Sequence, residues 1–212
     1  MTPGPRSRAW VTLAIVVSAG FAIAAHLAIV ADAAPAVGAL LSLIPLAVLA
    51  LWLARRARQG APVLLALAVL AAALWLGWGA LERGFANLFF IEHAGAMLVL
   101  AIIFGRTLAG ERDSLCTRFA RMLHATLPPE VERYTRKVTG AWTIFFAVLF
   151  LLSCALYLGG FLAVWSLLAN ILTPILIAAM FVVEYAVRHR VLPGWERVGL
   201  LGGIRAFSRH FG

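Results

Sequence analysis

Long apolar runs separated by short polar punctuation occupy most of this chain. Residues 9–31, 36–54, 62–81, 86–105, 139–158 and 161–187 each approach or exceed the roughly 20 predominantly apolar residues that a helix needs to cross the hydrocarbon core of a bilayer. The pattern predicts an all-α fold, a polytopic membrane helical bundle of about six transmembrane helices with amphipathic segments on the cytoplasmic side. Local signals support the divisions. Pro62 suits the first turn of a helix, and Gly159-Gly160 marks a turn between two spanning runs. Pro45 falls inside the second run. Pro174 is expected to bend the sixth, with Thr173 beside it to satisfy part of the freed backbone. The first run ends at Ala31-Asp32-Ala33, which resembles a signal-peptidase site. It is longer than the roughly 7 to 15 residues of a signal h-region, so a retained spanning helix is expected.

Composition agrees with this pattern. The chain has 212 residues, 63% of them hydrophobic and 13% charged, and its mean hydropathy of +0.96 exceeds what one soluble domain could bury. A net charge of +9 would suggest a nucleic-acid partner in a soluble protein. Here the charges sit at the ends of apolar runs, which excludes nucleic acid and points to the lipid bilayer and its anionic headgroups. Two Lys or Arg precede the first run, three follow the second, seven lie from Arg106 to Lys137 and five follow the sixth, so 17 of 18 fall on one side and only Arg83 on the other. Under the positive-inside rule both termini are cytoplasmic, in a multi-pass protein of a bacterial inner membrane. The expected organisation is a cytoplasmic N-terminus (1–8), helices one to four (9–105), a basic cytoplasmic loop (106–138), helices five and six (139–187) and a basic tail (188–212). Trp10, Trp52, Trp75, Trp78, Trp142 and Trp165 fall within a few turns of these ends, where aromatic belts lie. Of the two cysteines, Cys154 is inside an apolar run and Cys116 in the basic loop, so no disulfide is expected between them.

Two segments have the spacing of interfacial helices. In the basic loop Leu115, Phe119, Met122 and Leu123 share a face, with Arg121 and His124 opposite and Arg118 toward one flank. In the tail Leu200, Ile204, Phe207 and Phe211 share an arc, with Arg205 and Arg209 elsewhere. Either segment can lie on an anionic leaflet or pack on the cytoplasmic ends of the bundle.

Ionisable side chains inside spans are candidate functional groups, since each costs a few kcal/mol at the bilayer centre. His26, Glu92 and His93 fall about 7 to 11 Å inside the outer boundary by helical rise, with Asn170 slightly deeper. If the first and fourth spans are neighbours, these four residues form one polar layer able to bind a polar head group or relay a proton, or simply to fix helix packing. Adjacent Glu92 and His93 point about 100° apart on a helix. No two histidines lie at i and i+4, so neither a metal site nor another cofactor is expected. Near the cytoplasmic end Glu184 is placed to pair with Arg106, unless each snorkels separately to water. Cys116 and His124 suggest a nucleophile and base, but eight helical residues turn by about 800° and leave the side chains about 80° apart. Phosphate-binding glycine loops, hydrolase elbows and paired-carboxylate layouts are absent from the sequence, so no catalytic residue is assigned.

The segments Phe104-Gly105-Arg106, Leu115-Cys116-Thr117-Arg118-Phe119-Ala120-Arg121, Leu127-Pro128-Pro129-Glu130-Val131-Glu132-Arg133-Tyr134-Thr135-Arg136 and Ala141-Trp142-Thr143 carry a resemblance. It continues through Ala163-Val164-Trp165-Ser166, Asn170 and Glu184-Tyr185-Ala186-Val187-Arg188. Together they resemble a family of small bacterial inner-membrane proteins encoded within aryl polyene and xanthomonadin-type pigment biosynthetic clusters. The resemblance covers residues 89–207 and is weaker over the first three spans. It implies a membrane-bound accessory role in making, lipid-attaching or moving an acyl-carrier-linked polyene, and it carries over no catalytic residue. An acyl carrier protein is acidic, and the loop holds seven Lys or Arg against four Asp or Glu. Arg106, Arg118, Arg121, Arg133 and Arg136 are therefore the expected docking residues for such a partner or for anionic lipid. The rival expectation is a small transporter or membrane-embedded transferase working through His26, Glu92, His93 and Asn170, with Pro45 and Pro174 breaking its helices.

Overall fold

The computed structural model describes residues 5–31, 35–56, 69–70, 72–110, 113–123 and 126–193. Helices α1 (Pro5–Ala31), α2 (Pro35–Arg56), α3 (Trp78–Arg106), α4 (Leu115–Leu123), α5 (Pro129–Leu158) and α6 (Leu162–Leu167) lead into a π-helical segment (Leu168–Leu172) and α7 (Thr173–Val191). Proline opens α1, α2 and α5, where its missing N–H costs no intrahelical bond. Five of the described stretches are long and apolar enough to cross a membrane: Trp10–Ala31, Pro35–Trp52, Trp78–Arg106, Pro129–Leu158 and Leu162–Val191. No more than 22% of the hydrophobic window of any of them is buried. Ile91, Leu151, Ile175 and Val182 are each more than half exposed. Apolar surface on this scale needs lipid around it, and the chain is a multi-pass, all-α membrane protein.

Of the predicted span at 62–81, residues 69–70 and 72–81 are described and are helical apart from a turn at Gly77, with Trp78 onward belonging to α3, whereas the tail helix at 200–211 lies outside the described residues. Where the sequence predicts a connection between residues 81 and 86, the chain instead stays helical within α3. The polar residues there are accommodated on the helix, since Trp78 Nε1 donates to Glu82 Oε1 across one turn at 2.8 Å. Gly84, at φ −127° and ψ 19°, supplies a kink in place of a loop. The predicted Gly159-Gly160 turn is present, with Gly160 at φ +79°, a conformation that favours glycine.

The chain divides into two compact units, Met1–His93 with Ala155–Thr173 and Ala94–Cys154 with Pro174–Gly212. In the first unit α1 packs against α2, α6 and the π segment. Its core joins Ala25, Ala39, Phe85, Phe89 and Trp165. Small residues allow the close approach expected of membrane helices. Gly38 is the sharpest case: a Cβ there would come within 2.6 Å of the Phe85 ring. Tyr157 stacks on Phe90 at 4.2 Å, and Trp165 meets both rings edge-on.

In the second unit Trp142 lies among Phe104, Phe145, Phe146 and Phe181. Gly105 faces the Thr143 methyl, which a Cβ would meet at 3.2 Å. Trp142 and Trp165 are buried, so neither belongs to an interfacial belt, whereas Trp10, Trp52 and Trp75 are exposed. Both buried indoles lie against other aromatic side chains, and ring packing rather than distance from a helix end decides where they sit.

Candidate functional site

A π-helical turn inside the last spanning helix builds the site. Pro174 has no N–H to donate, and the turn before it widens into the π segment. The hydroxyl of Thr173 donates to the Leu168 carbonyl at 2.8 Å, five residues back, as does the Thr173 backbone N–H. His93 Nε2 lies 3.1 Å from that same hydroxyl oxygen. A threonine hydroxyl has one proton, and here it goes to Leu168, so His93 Nε2 carries the hydrogen of this contact. One turn earlier the Asn170 amide Nδ2 donates to Ser166 O at 3.1 Å and to Ser166 Oγ at 3.2 Å. Ser166 Oγ in turn contacts His26 Nδ1 at 3.0 Å.

All four residues of the predicted polar layer therefore lie in the first unit. Glu92, His93 and Asn170 line one cleft of about 220 Å³ together with Phe21, Pro45, Phe89, Trp165 and Ala169. His26 is not among the lining residues, but it reaches Asn170 through Ser166. Among the described residues Glu92 Oε1 is buried without a hydrogen-bond partner. The sequence pointed to the four polar residues, but not to Ser166 as the link between His26 and Asn170 or to the aromatic wall. Those contacts join α1, α3 and the α6 to π stretch, and no spacing within one helix signals them.

Comparison with family models, with curated proteins and with solved structures finds no match. The side chains are thus the basis on which function is assigned. Among the described residues no group of three His, Cys, Asp or Glu could hold a metal ion.

The basic loop lies in the second unit and is organised differently from its sequence expectation. Arg121 is held by two carboxylates, with Nε 3.0 Å from Asp113 Oδ2 and Nη2 2.6 Å from Glu132 Oε1. Arg118 Nε donates to the Asp113 carbonyl, and Arg136 Nη2 to the Leu108 carbonyl. These three arginines fold the loop. Arg106 and Arg133 are exposed, with no hydrogen bond or ion pair among the described residues, so the five expected docking residues split into two classes.

The expected Arg106 to Glu184 pair does not form. Glu184 is instead 3.6 Å from Arg188, one turn along its own helix, and receives the Tyr134 hydroxyl. An i, i+4 partner needs no inter-helix reach, which explains the preference.

Helix α4 is fixed by hydroxyl groups. Buried Ser114, Thr117 and Thr139 and half-buried Thr135 form a chain of contacts between 2.7 and 3.1 Å, and the Cys116 backbone N–H donates to Thr139. Phe119 and Met122 remain exposed. The helix thus packs through its small hydroxyl side and presents its large apolar side outward, which fits the interfacial reading better than bundle packing. Burial pushes the Cys116 thiol above its ordinary pKa. This is the opposite of what an activated nucleophile requires. His124, the base considered for it, lies outside the described residues. Cys116 and Cys154 are both free thiols.

Proposed function

We propose that this protein binds an amphiphilic molecule within the bacterial inner membrane, holding its polar end in the cleft of Glu92, His93 and Asn170 while the apolar part stays in lipid. The observation that carries the proposal is the unpartnered, buried Glu92 Oε1 beside that cleft. An unsatisfied acceptor in low-dielectric surroundings costs about 1 to 3 kcal/mol. A ligand donor would recover that cost. A π-helical turn beside a proline is also a recurrent device at functional sites, because it turns side chains out of the regular helical register.

The biological setting we propose follows the resemblance described above. The chain acts as an accessory protein in aryl-polyene-type pigment or lipid assembly, with both termini cytoplasmic. In that role the cleft serves to move or present the amphiphile, as a small transporter or membrane-embedded transferase would. Replacing chromosomal Glu92 by Gln and analysing envelope lipids by mass spectrometry tests this. A missing or stalled pigment-linked product is expected, and an unchanged profile would reduce the polar layer to a packing role.

A second function is favoured by Arg106 and Arg133, which are exposed and unpaired among the described residues. They suit docking of an acidic acyl carrier protein at the cytoplasmic face, next to an α4 that lies on the leaflet. Loss of carrier co-purification on changing Arg106 and Arg133 to Ala supports docking. Recovery equal to wild type removes it.

A further inference from the structure

We infer that the polar end bound in this cleft is a protonated amine. This inference rests on the cleft-binding function just proposed, and it names the chemical class of the ligand. Two acceptors on lining residues have no donor among the described residues. Glu92 Oε1 has no partner, and Asn170 has committed its amide nitrogen to Ser166, leaving its carbonyl oxygen Oδ1 to accept. The Nε2–H of His93, the one basic lining side chain among the described residues, is given to Thr173. Among the described residues no lysine or arginine lines the cleft. The remaining lining is apolar, with three aromatic side chains, Phe21, Phe89 and Trp165, beside Pro45 and Ala169.

Each feature selects the same ligand. A carboxylate or phosphate would meet an acidic side chain and two acceptors with no arginine or lysine to receive it. A hydroxyl could use one acceptor but would leave the other unmet. An ammonium group brings three donors and a positive charge. It can satisfy Glu92 and Asn170 together and turn its remaining face to aromatic rings, whose quadrupoles attract cations. Such a group can come from a lipid headgroup or from a free amine.

The test uses the full-length protein in maltoside micelles, titrated with octylammonium, octanol, octanoate and ethylammonium and followed by intrinsic tryptophan fluorescence. Octylammonium is expected to bind at least about tenfold more tightly than octanol, the scale of one charge-assisted hydrogen bond, and octanoate most weakly. Glu92→Gln should bring octylammonium to the octanol level. Phe21→Leu, which keeps the carboxylate and removes a ring, should weaken octylammonium several-fold and leave octanol unchanged. Circular dichroism and gel filtration confirm that each variant is folded. Ethylammonium binding as tightly as octylammonium would support amine recognition and assign the ligand to a free amine, whereas a clear chain requirement assigns it to a lipid. Octanoate or octanol matching octylammonium, or a Glu92→Gln variant with unchanged preference, overturns the amine assignment while leaving amphiphile binding intact. If none of the four probes binds, the cleft-binding function falls as well.

Discussion

Gly38→Ala isolates the packing that holds the first unit together. A Cβ at this position would lie 2.6, 2.7 and 2.8 Å from three atoms of the Phe85 ring. Ordinary carbon contacts are about 3.5 to 4.0 Å, so the ring would have to retreat by about 1 Å. Phe85 is only 6% exposed and belongs to the core with Ala25, Ala39, Phe89 and Trp165, so it has little room to move. Overpacking of this kind costs about 1 to 3 kcal/mol. The same substitution at Gly20, where a Cβ meets nothing within 4 Å, should stabilise by up to about 1 kcal/mol through helix propensity. The two variants are therefore expected to move in opposite directions in an SDS titration of mixed micelles followed by circular dichroism. Combining Gly38→Ala with Phe85→Leu should cost less than the sum of the single changes, because the shorter side chain vacates the contact. Equal effects at Gly20 and Gly38, or strict additivity with Phe85→Leu, would refute the close approach of α2 to α3.

Three further outcomes follow from individual contacts. Thr173→Val keeps the side-chain shape but removes the hydroxyl's bonds to Leu168 and His93, and should destabilise by about 1 to 2 kcal/mol in the same titration, whereas Thr173→Ser should stay near wild type. Because burial raises the Cys116 thiol, the thiolate fraction at neutral pH is smaller than for a free cysteine. Iodoacetamide should therefore label Cys116 more slowly than a model thiol, with the rate climbing only above the ordinary thiol range, and fast labelling at pH 7 would contradict this. A spin label at Phe119→Cys, with Cys116→Ser and Cys154→Ser, should be reached more readily by oxygen than by a polar nickel chelate. The reverse ratio would place α4 in water.

The spanning helices are legible in the sequence because length and continuous hydropathy decide them. The start of α3 is not, since Glu82 and Arg83 look like a loop, and only the Trp78 to Glu82 bond reveals how a polar pair stays on a helix. The polar layer is legible residue by residue, as charge inside an apolar run stands out. Its coupling is not: the widening of the last helix at Leu168–Leu172 has no periodicity signature, and it is that turn which carries Asn170 toward the cleft. Net charge likewise identifies a basic loop but not which arginines are committed. Arg121 is held by Asp113, eight residues away, and by Glu132, eleven residues away. The Glu184 partner was within reach of spacing rules, since Arg188 lies one turn away, while the more distant Arg106 answered only to charge.

Among the described residues Glu92 Oε1 has no hydrogen-bond partner, on a side chain that lines the cleft, and a hydrophobic carbodiimide tests its availability directly. Membranes treated with dicyclohexylcarbodiimide and analysed by peptide mass spectrometry should carry the adduct on Glu92, at a rate reduced by octylammonium, while Glu184, held by Tyr134 and Arg188, reacts far less. An unmodified Glu92 under conditions that label Glu184 would contradict the account.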